Sequence, residues 1–159
     1  MIHIQNILVP VDFSEASTNA ACFAASLARA YHARLYVLHV KEPFPAHGRI
    51  MAGSLEDIRR HRRSEEKKQL IEVIPGKLKN SINVEEIQVT GMPVARVIVE
   101  MARKLRVDVI VIASQAPMGL MRFVKKDLAQ EVLQDALCSV FVIGNRRGKK
   151  DESIDDFHR

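Results

Sequence analysis

Ile4-Gln5-Asn6-Ile7-Leu8-Val9-Pro10-Val11-Asp12 decides the architecture of this chain. From Ile4 to Val11 the run is apolar and β-branched, and it stops at an acid. A strand with one wet face would alternate apolar and polar residues, so a near-continuous run of this length predicts a strand buried on both faces of a parallel sheet. A helix follows it: Ala20, Phe23, Ala24, Leu27, Ala28 and Tyr31 recur at helical spacing as one apolar stripe. Ser14 or Ser17 is positioned to cap its first turn.

The same alternation continues along the chain. Leu35 to Val40 reads as a second strand, and Pro43, Pro45, Gly48 and Gly53 mark a loop over 41–54, a length at which loops commonly carry function. Leu55 to about Asn80 is helical in pattern, but Arg59 to Lys68 contains no apolar residue and is expected to face water. Pro75 lacks the N–H a helix interior needs, so the helix kinks or stops there. Val84 to Val89 is a third strand, and Gly91-Met92-Pro93 leads into a helix with Val94, Val97, Ile98, Met101, Ala102 and Leu105 on its core face. Arg103, Lys104 and Arg106 meet the negative end of that helix.

Val109 to Ala113 is the most apolar strand, followed by a loop from Ser114 to about Lys126. Asp127 with Gln130 three residues on resembles a capping box for a helix with Leu128, Val132, Leu133, Ala136 and Leu137 inward. Val140 to Ile143 is a short final strand. The expected organisation is one domain over residues 1–143 and a charged, frayed tail over 144–159. Strands alternating with helices in this way make an α/β fold, an open doubly wound parallel sheet with helices on both faces. Ligands of such sheets bind at the carboxyl ends of the strands where the strand order reverses. The first and fourth strands are the expected neighbours there, so the candidate site comprises Pro10, Val11 and Asp12 together with Ala113 through Asp127.

Composition narrows the function. With 159 residues, 47% of them hydrophobic, the chain buries a core without disulfides or metals. No apolar run approaches the roughly 20 residues that cross a bilayer, and the N-terminus lacks the pattern of a secretory signal, so no membrane association and a cytoplasmic location are expected. Cys22 and Cys138 are far apart and read as buried thiols. The six histidines, His3, His32, His39, His47, His61 and His158, have no metal-ligand spacing and read as surface or satisfied core residues. No nucleophile has a visible base partner, so no enzymatic activity is expected, slow ATP turnover being the one reaction left open. The formal charge of +5 and the basic run Arg59 to Lys68 suggest a nucleic-acid partner, but Glu65 and Glu66 interrupt that run and no aromatic is interleaved to stack on bases. Nucleic acid is therefore the disfavoured partner.

Asn6-Ile7-Leu8-Val9-Pro10-Val11-Asp12-Phe13-Ser14 resembles the opening of the universal stress protein family, as does Ala33-Arg34-Leu35-Tyr36-Val37-Leu38-His39-Val40. Gly91-Met92-Pro93, Val107-Asp108-Val109-Ile110-Val111-Ile112 and Cys138-Ser139-Val140-Phe141-Val142-Ile143 continue the likeness. The resemblance implies a five-stranded sheet of order 3-2-1-4-5, of the adenine nucleotide alpha-hydrolase-like kind, and a homodimer formed partly by the last strands, here Val140, Phe141, Val142 and Ile143. In many members it also implies ATP. There Asp12 matches the residue beside ribose and base, Val40 matches one lining the adenine pocket, and a loop of the form Gly, two residues, Gly, nine residues, Gly-Ser or Gly-Thr cradles phosphate. The matching positions here are Ala113, Ala116, Lys126 and Asp127.

Every glycine of that loop is replaced. A Cβ hinders close approach of backbone N–H groups to phosphate, and the Asp127 carboxylate sets negative charge at a helix N-terminus that would otherwise receive phosphate oxygens. Arg122, Lys125 and Lys126 are the countervailing feature, since side-chain cations also hold phosphate. Asp12 and Val40 have plain structural readings too, as a turn-capping acid and as strand core. The expectation is no cofactor and a vestigial site made of Pro10, Val11, Asp12, Val40, Ala113, Ser114, Ala116, Lys126, Asp127 and Leu128, in a homodimeric stress-response regulator that acts on an unidentified protein partner. The alternative is a switch that binds ATP or another nucleotide through Asp12 and the 113–128 loop.

Overall fold

Odd and even residues of the central strands part company in this structure. Ile7, Val9, Val11, Leu35, Val37, Val109, Val111 and Ala113 pack on one side of the sheet, whereas Leu8, Tyr36, Leu38, Ile110 and Ile112 pack on the other. Successive side chains of a strand point to opposite faces, so an unbroken apolar run loads both faces and needs a layer of helices on each. The computed structural model describes residues 3–43, 73–114 and 127–144. They form β1 (Asn6–Pro10), α1 (Glu15–Tyr31), β2 (Arg34–Lys41), α2 (Gly76–Lys79), β3 (Asn83–Thr90), α3 (Val94–Lys104), β4 (Val109–Ser114), α4 (Leu128–Asp135) and β5 (Ser139–Gly144). All strand pairs are parallel, in the order β3-β2-β1-β4-β5, as the sequence and its resemblance lead one to expect.

The helices divide between the faces. α1 covers the odd-numbered face, joined by Val73, Ile74 and Leu78 around α2, while α3 and α4 cover the even-numbered face with Ala95, Ile98, Ala102, Ala129 and Val132. The buried face of α1 is Ala16, Ser17, Ala20, Ala21, Ala24, Ala25 and Ala28. This corrects the stripe read from the sequence, since Phe23 and Tyr31 are exposed and Ala21 and Ala25 take their place. Alanine is the best helix former and the smallest apolar side chain, so this face lets the helix axis lie close over β1 and β4.

The break expected at Pro75 is present: the chain bends at Val73 and Ile74, and Pro75 stands as N-cap of the short α2, while residues 55–72 lie outside the described residues. One further reading changes. In α4 the inward residues are Ala129 and Val132, while Leu128, Leu133 and Leu137 are exposed and the helix already ends at Asp135. The loop expected over 41–54 is described only to Pro43, and the basic run Arg59 to Lys68 and the tail beyond Gly144 lie outside the described residues.

The two halves of the sheet meet in a short seam. Asp108 Oδ2 accepts from the backbone N–H groups of Gln5 and Asn6 at 2.8 and 2.9 Å, and the Asp108 N–H donates to the Asn6 carbonyl at 2.9 Å. Ile7 then pairs with Val109 and Leu8 with Ile110. There the β1–β4 ladder ends, although β1 stays with β2 as far as Pro10 and β4 stays with β5 as far as Ser114.

Overpacking the alanine face tests the helix–sheet approach. Ala24, with none of its surface exposed, changed to Leu is expected to lower the unfolding free energy by about 1–3 kcal/mol, read as a lower urea midpoint at unchanged slope.

Candidate functional site

The β1–β4 ladder ends at Leu8 and Ile110, short of the strand ends, and the carboxyl end of these central strands is the place where doubly wound sheets bind ligands. On its β1 side the chain leaves the strand through buried Pro10 and Val11 to exposed Asp12. The Val11 N–H donates to the Leu38 carbonyl at 2.8 Å, which carries the β1–β2 ladder one residue past the strand end. Phe13 takes a left-handed backbone, φ 64°, an arrangement that is uncommon for a residue with a large side chain.

This turn is held by short polar side chains. Asp12 Oδ1 accepts from both the backbone N–H of Ser14, at 3.0 Å, and the Ser14 hydroxyl, at 2.6 Å. The Ser14 Oγ in turn accepts from the Ser17 N–H at 3.2 Å, which makes Ser14, of the two serines considered, the N-cap of α1. The Ser17 hydroxyl donates to the Ser14 carbonyl at 3.0 Å and accepts from the Asp12 N–H at 3.3 Å. A small hydroxyl at each of positions 14 and 17 is what the sequence supplies for closing a strand-to-helix turn on itself.

On the β4 side, Ala113 is buried and Ser114 is half-buried at the strand end. The Ser114 hydroxyl donates to Asp127 Oδ2 at 2.6 Å, and Asp127 Oδ1 accepts from the backbone N–H of Ala129 at 3.3 Å. Asp127 is thus the N-cap of α4, an anion of the chain's own at the positive end of that helix, and it ties that helix to the end of β4. Leu128, the first residue of α4, is exposed. Val40 is half-buried against the even-numbered core.

The structure therefore brings Pro10, Val11, Asp12, Ala113, Ser114, Asp127 and Leu128 to the carboxyl end of the sheet, with Val40 on the neighbouring β2. Ala116 and Lys126, and with them Arg122 and Lys125, lie outside the described residues. Sequence reasoning missed His39. Its Nδ1 lies 2.8 Å from the Val11 carbonyl and its ring lies 4.5 Å from that of Phe13, centroid to centroid. The available signal was one polar ring inside the run Leu35 to Val40, at the strand end nearest the site.

Elsewhere the chemistry is quiet. Burial pushes the thiols of half-buried Cys22 and Cys138 upward, in Cys138 with the nearby Asp108 charge adding to the effect, so neither is primed as a nucleophile. Among the described residues no three His, Cys, Asp or Glu side chains converge as a metal ion would need, and no helix is long and apolar enough to cross a membrane.

Comparison with known proteins agrees with this geometry. The model described as the universal stress protein family matches residues 3–144. A universal stress protein of Methanocaldococcus jannaschii is 29% identical over 147 residues, spanning 92% of this chain and 85% of that protein. Among solved structures, a universal stress protein from Lactobacillus plantarum superposes with a TM-score of 0.68 at 24% identity, over 90% of this chain and 99% of its own. A universal stress protein in complex with cAMP reaches 0.69 at 20% identity, over 89% and 98%. At these identities the two structures establish the shared fold.

Replacing Asp127 by Ala removes the cap of α4. The expected result is a loss of about 1 kcal/mol in stability, measured by chemical denaturation, with Asp127→Asn losing less because its amide oxygen still accepts from the first turn.

Proposed function

Because the chain belongs to the universal stress protein family, we propose that it is a cytoplasmic, homodimeric stress-response regulator that works through protein contacts and not by catalysis, its triphosphate cradle closed. The observation that carries this reading is Asp127, whose two carboxylate oxygens accept from the Ser114 hydroxyl and the Ala129 N–H. A carboxylate so placed takes up first-turn hydrogen bonding and positive potential that would otherwise favour a phosphate, and it adds like charge against one. Ala113 adds a Cβ at the first position where the family's phosphate loop has glycine.

The second reading is a nucleotide-binding switch that uses Asp12 and the 113–128 loop. It is favoured by the fold neighbour that holds cAMP, a ligand with a single phosphate, and by the reversal of strand order between β1 and β4, where doubly wound sheets bind ligands. The two readings separate in a thermal-shift measurement with ATP and Mg²⁺, repeated with cAMP, on the wild type and on a variant carrying Ala113→Gly, Ala116→Gly, Lys126→Gly and Asp127→Ser. The expected outcome is an unchanged Tm for wild type with ATP and a raised Tm only after the loop is restored, because a ligand that binds the native state stabilises it by mass action. A raised Tm in wild type with either nucleotide favours the switch.

Homodimerisation is supported by the contrast between the two sheet edges. The β3 edge exposes Asn83, Glu85, Gln88 and Thr90 and carries an ion pair, Lys79 Nζ to Glu86 Oε1 at 2.5 Å. Such polar edges resist pairing. The β5 edge instead exposes Phe141 (39%) and Val142 (46%), with Leu133 (55%) and Leu137 (85%) exposed just before it in the chain, while Val140 and Ile143 are half-buried against the protein's own core. Phe141→Lys or Val142→Lys is expected to give monomer by light scattering at concentrations where wild type is dimeric. A dimer persisting in both variants refutes this edge as the interface.

A further inference from the structure

His39 takes no part in the functional reading above, yet it grips the chain on both sides of Asp12. We propose that His39 is a positioning residue, held as the Nδ1–H tautomer, that fixes the β1–α1 turn and with it the place of Asp12 beside the parting of β1 and β4. The proposal goes beyond the functional reading and stands whether or not a nucleotide binds.

Three observations carry it. First, Nδ1 of His39 lies 2.8 Å from the Val11 carbonyl oxygen. A carbonyl only accepts, so Nδ1 carries the hydrogen and donates. Second, the imidazole packs against the Phe13 ring at 4.5 Å with the planes inclined by 44°. Third, Phe13 is the residue with φ 64°, a conformation that persists in a non-glycine residue only where the surroundings enforce it. The residue before Asp12 and the residue after it are therefore held by one side chain.

The register explains why this residue and not another does so. β1 and β2 pair up to Pro10 with Leu38, so the next step places Val11 beside His39. The Val11 N–H is taken by the Leu38 carbonyl at 2.8 Å, and His39 takes the Val11 carbonyl. From there the Asp12 N–H is taken by the Ser17 hydroxyl at 3.3 Å and its carboxylate by Ser14. A residue that only filled space at position 39 would be replaceable by leucine, whereas the donor role is preserved by asparagine, whose side-chain N–H stands where the histidine Nδ1–H stands.

The test uses the full-length ¹⁵N-labelled chain. Long-range ¹⁵N–¹H correlation of the His39 ring is expected to report the Nδ1–H tautomer. In His39→Leu the Ser14 amide, which is bonded to Asp12, is expected to exchange with solvent about tenfold faster, while the sheet amides of Val37 and Ile110 keep their rates. In His39→Asn the Ser14 amide is expected to exchange as in wild type. An Nε2–H tautomer, a Ser14 rate unaltered by leucine, or acceleration by asparagine equal to that by leucine overturns the proposal, as does a uniform speed-up across the sheet. Should His39→Leu fail to fold, the wild-type tautomer and the asparagine variant still decide it.

Discussion

One carboxylate joins the two halves of the sheet. Asp108 receives two consecutive backbone N–H groups from Gln5 and Asn6, and charge-assisted bonds of this kind are stronger than those between neutral partners. It closes the amino end of the β1–β4 seam, and only two residue pairs follow before the strands separate. The contact lies where the topology turns back, since the chain builds β2 and β3 outward on one side of β1 and returns to place β4 and β5 on the other. The seam is pinned at its amino end, and its ladder stops short of the carboxyl end, where the strand order reverses. The candidate site is therefore a product of the strand order before any of its side chains is considered.

The carboxyl end of the sheet is furnished differently on its two sides. On the β1 side, hydroxyls and an acid fold a strand-to-helix turn onto itself, and the acid remains exposed at the surface. On the β4 side, the polar side chains bond within the chain, Ser114 with Asp127 and Asp127 with the first turn of α4. The scaffold of the universal stress protein family is intact. The fold rests on buried aliphatic rows, whereas the proposed ligand preference rests on one helix terminus, so the two can change separately.

The strands were legible because burial on both faces leaves an unbroken apolar run, and β1, β2 and β4 each carry one. The helices were legible in extent but less so in orientation. In α1 alanine occurs on nearly every side, so several helical stripes are equally apolar on paper, and the bulky Phe23 and Tyr31 drew the reading away from the face that packs closest. In α4 three leucines pointed to a core that only Ala129 and Val132 enter. At the site, Asp12 and Asp127 were identifiable as acids ending a strand and beginning a helix. The grip of His39 on Val11 and Phe13 was not, because it depends on the register between β1 and β2, which no spacing within one strand encodes.

The bare β5 margin also bears on how the molecule behaves in solution. Copies carrying a formal charge of +5 repel one another at long range, and that repulsion is screened beyond about 8 Å at physiological ionic strength. Attraction between oily margins that carry Phe141 and Val142 has no such dependence, and kosmotropic salts such as sulfate strengthen it. A contact made through this margin would therefore tighten as electrolyte is added, the reverse of what a charge-driven contact does.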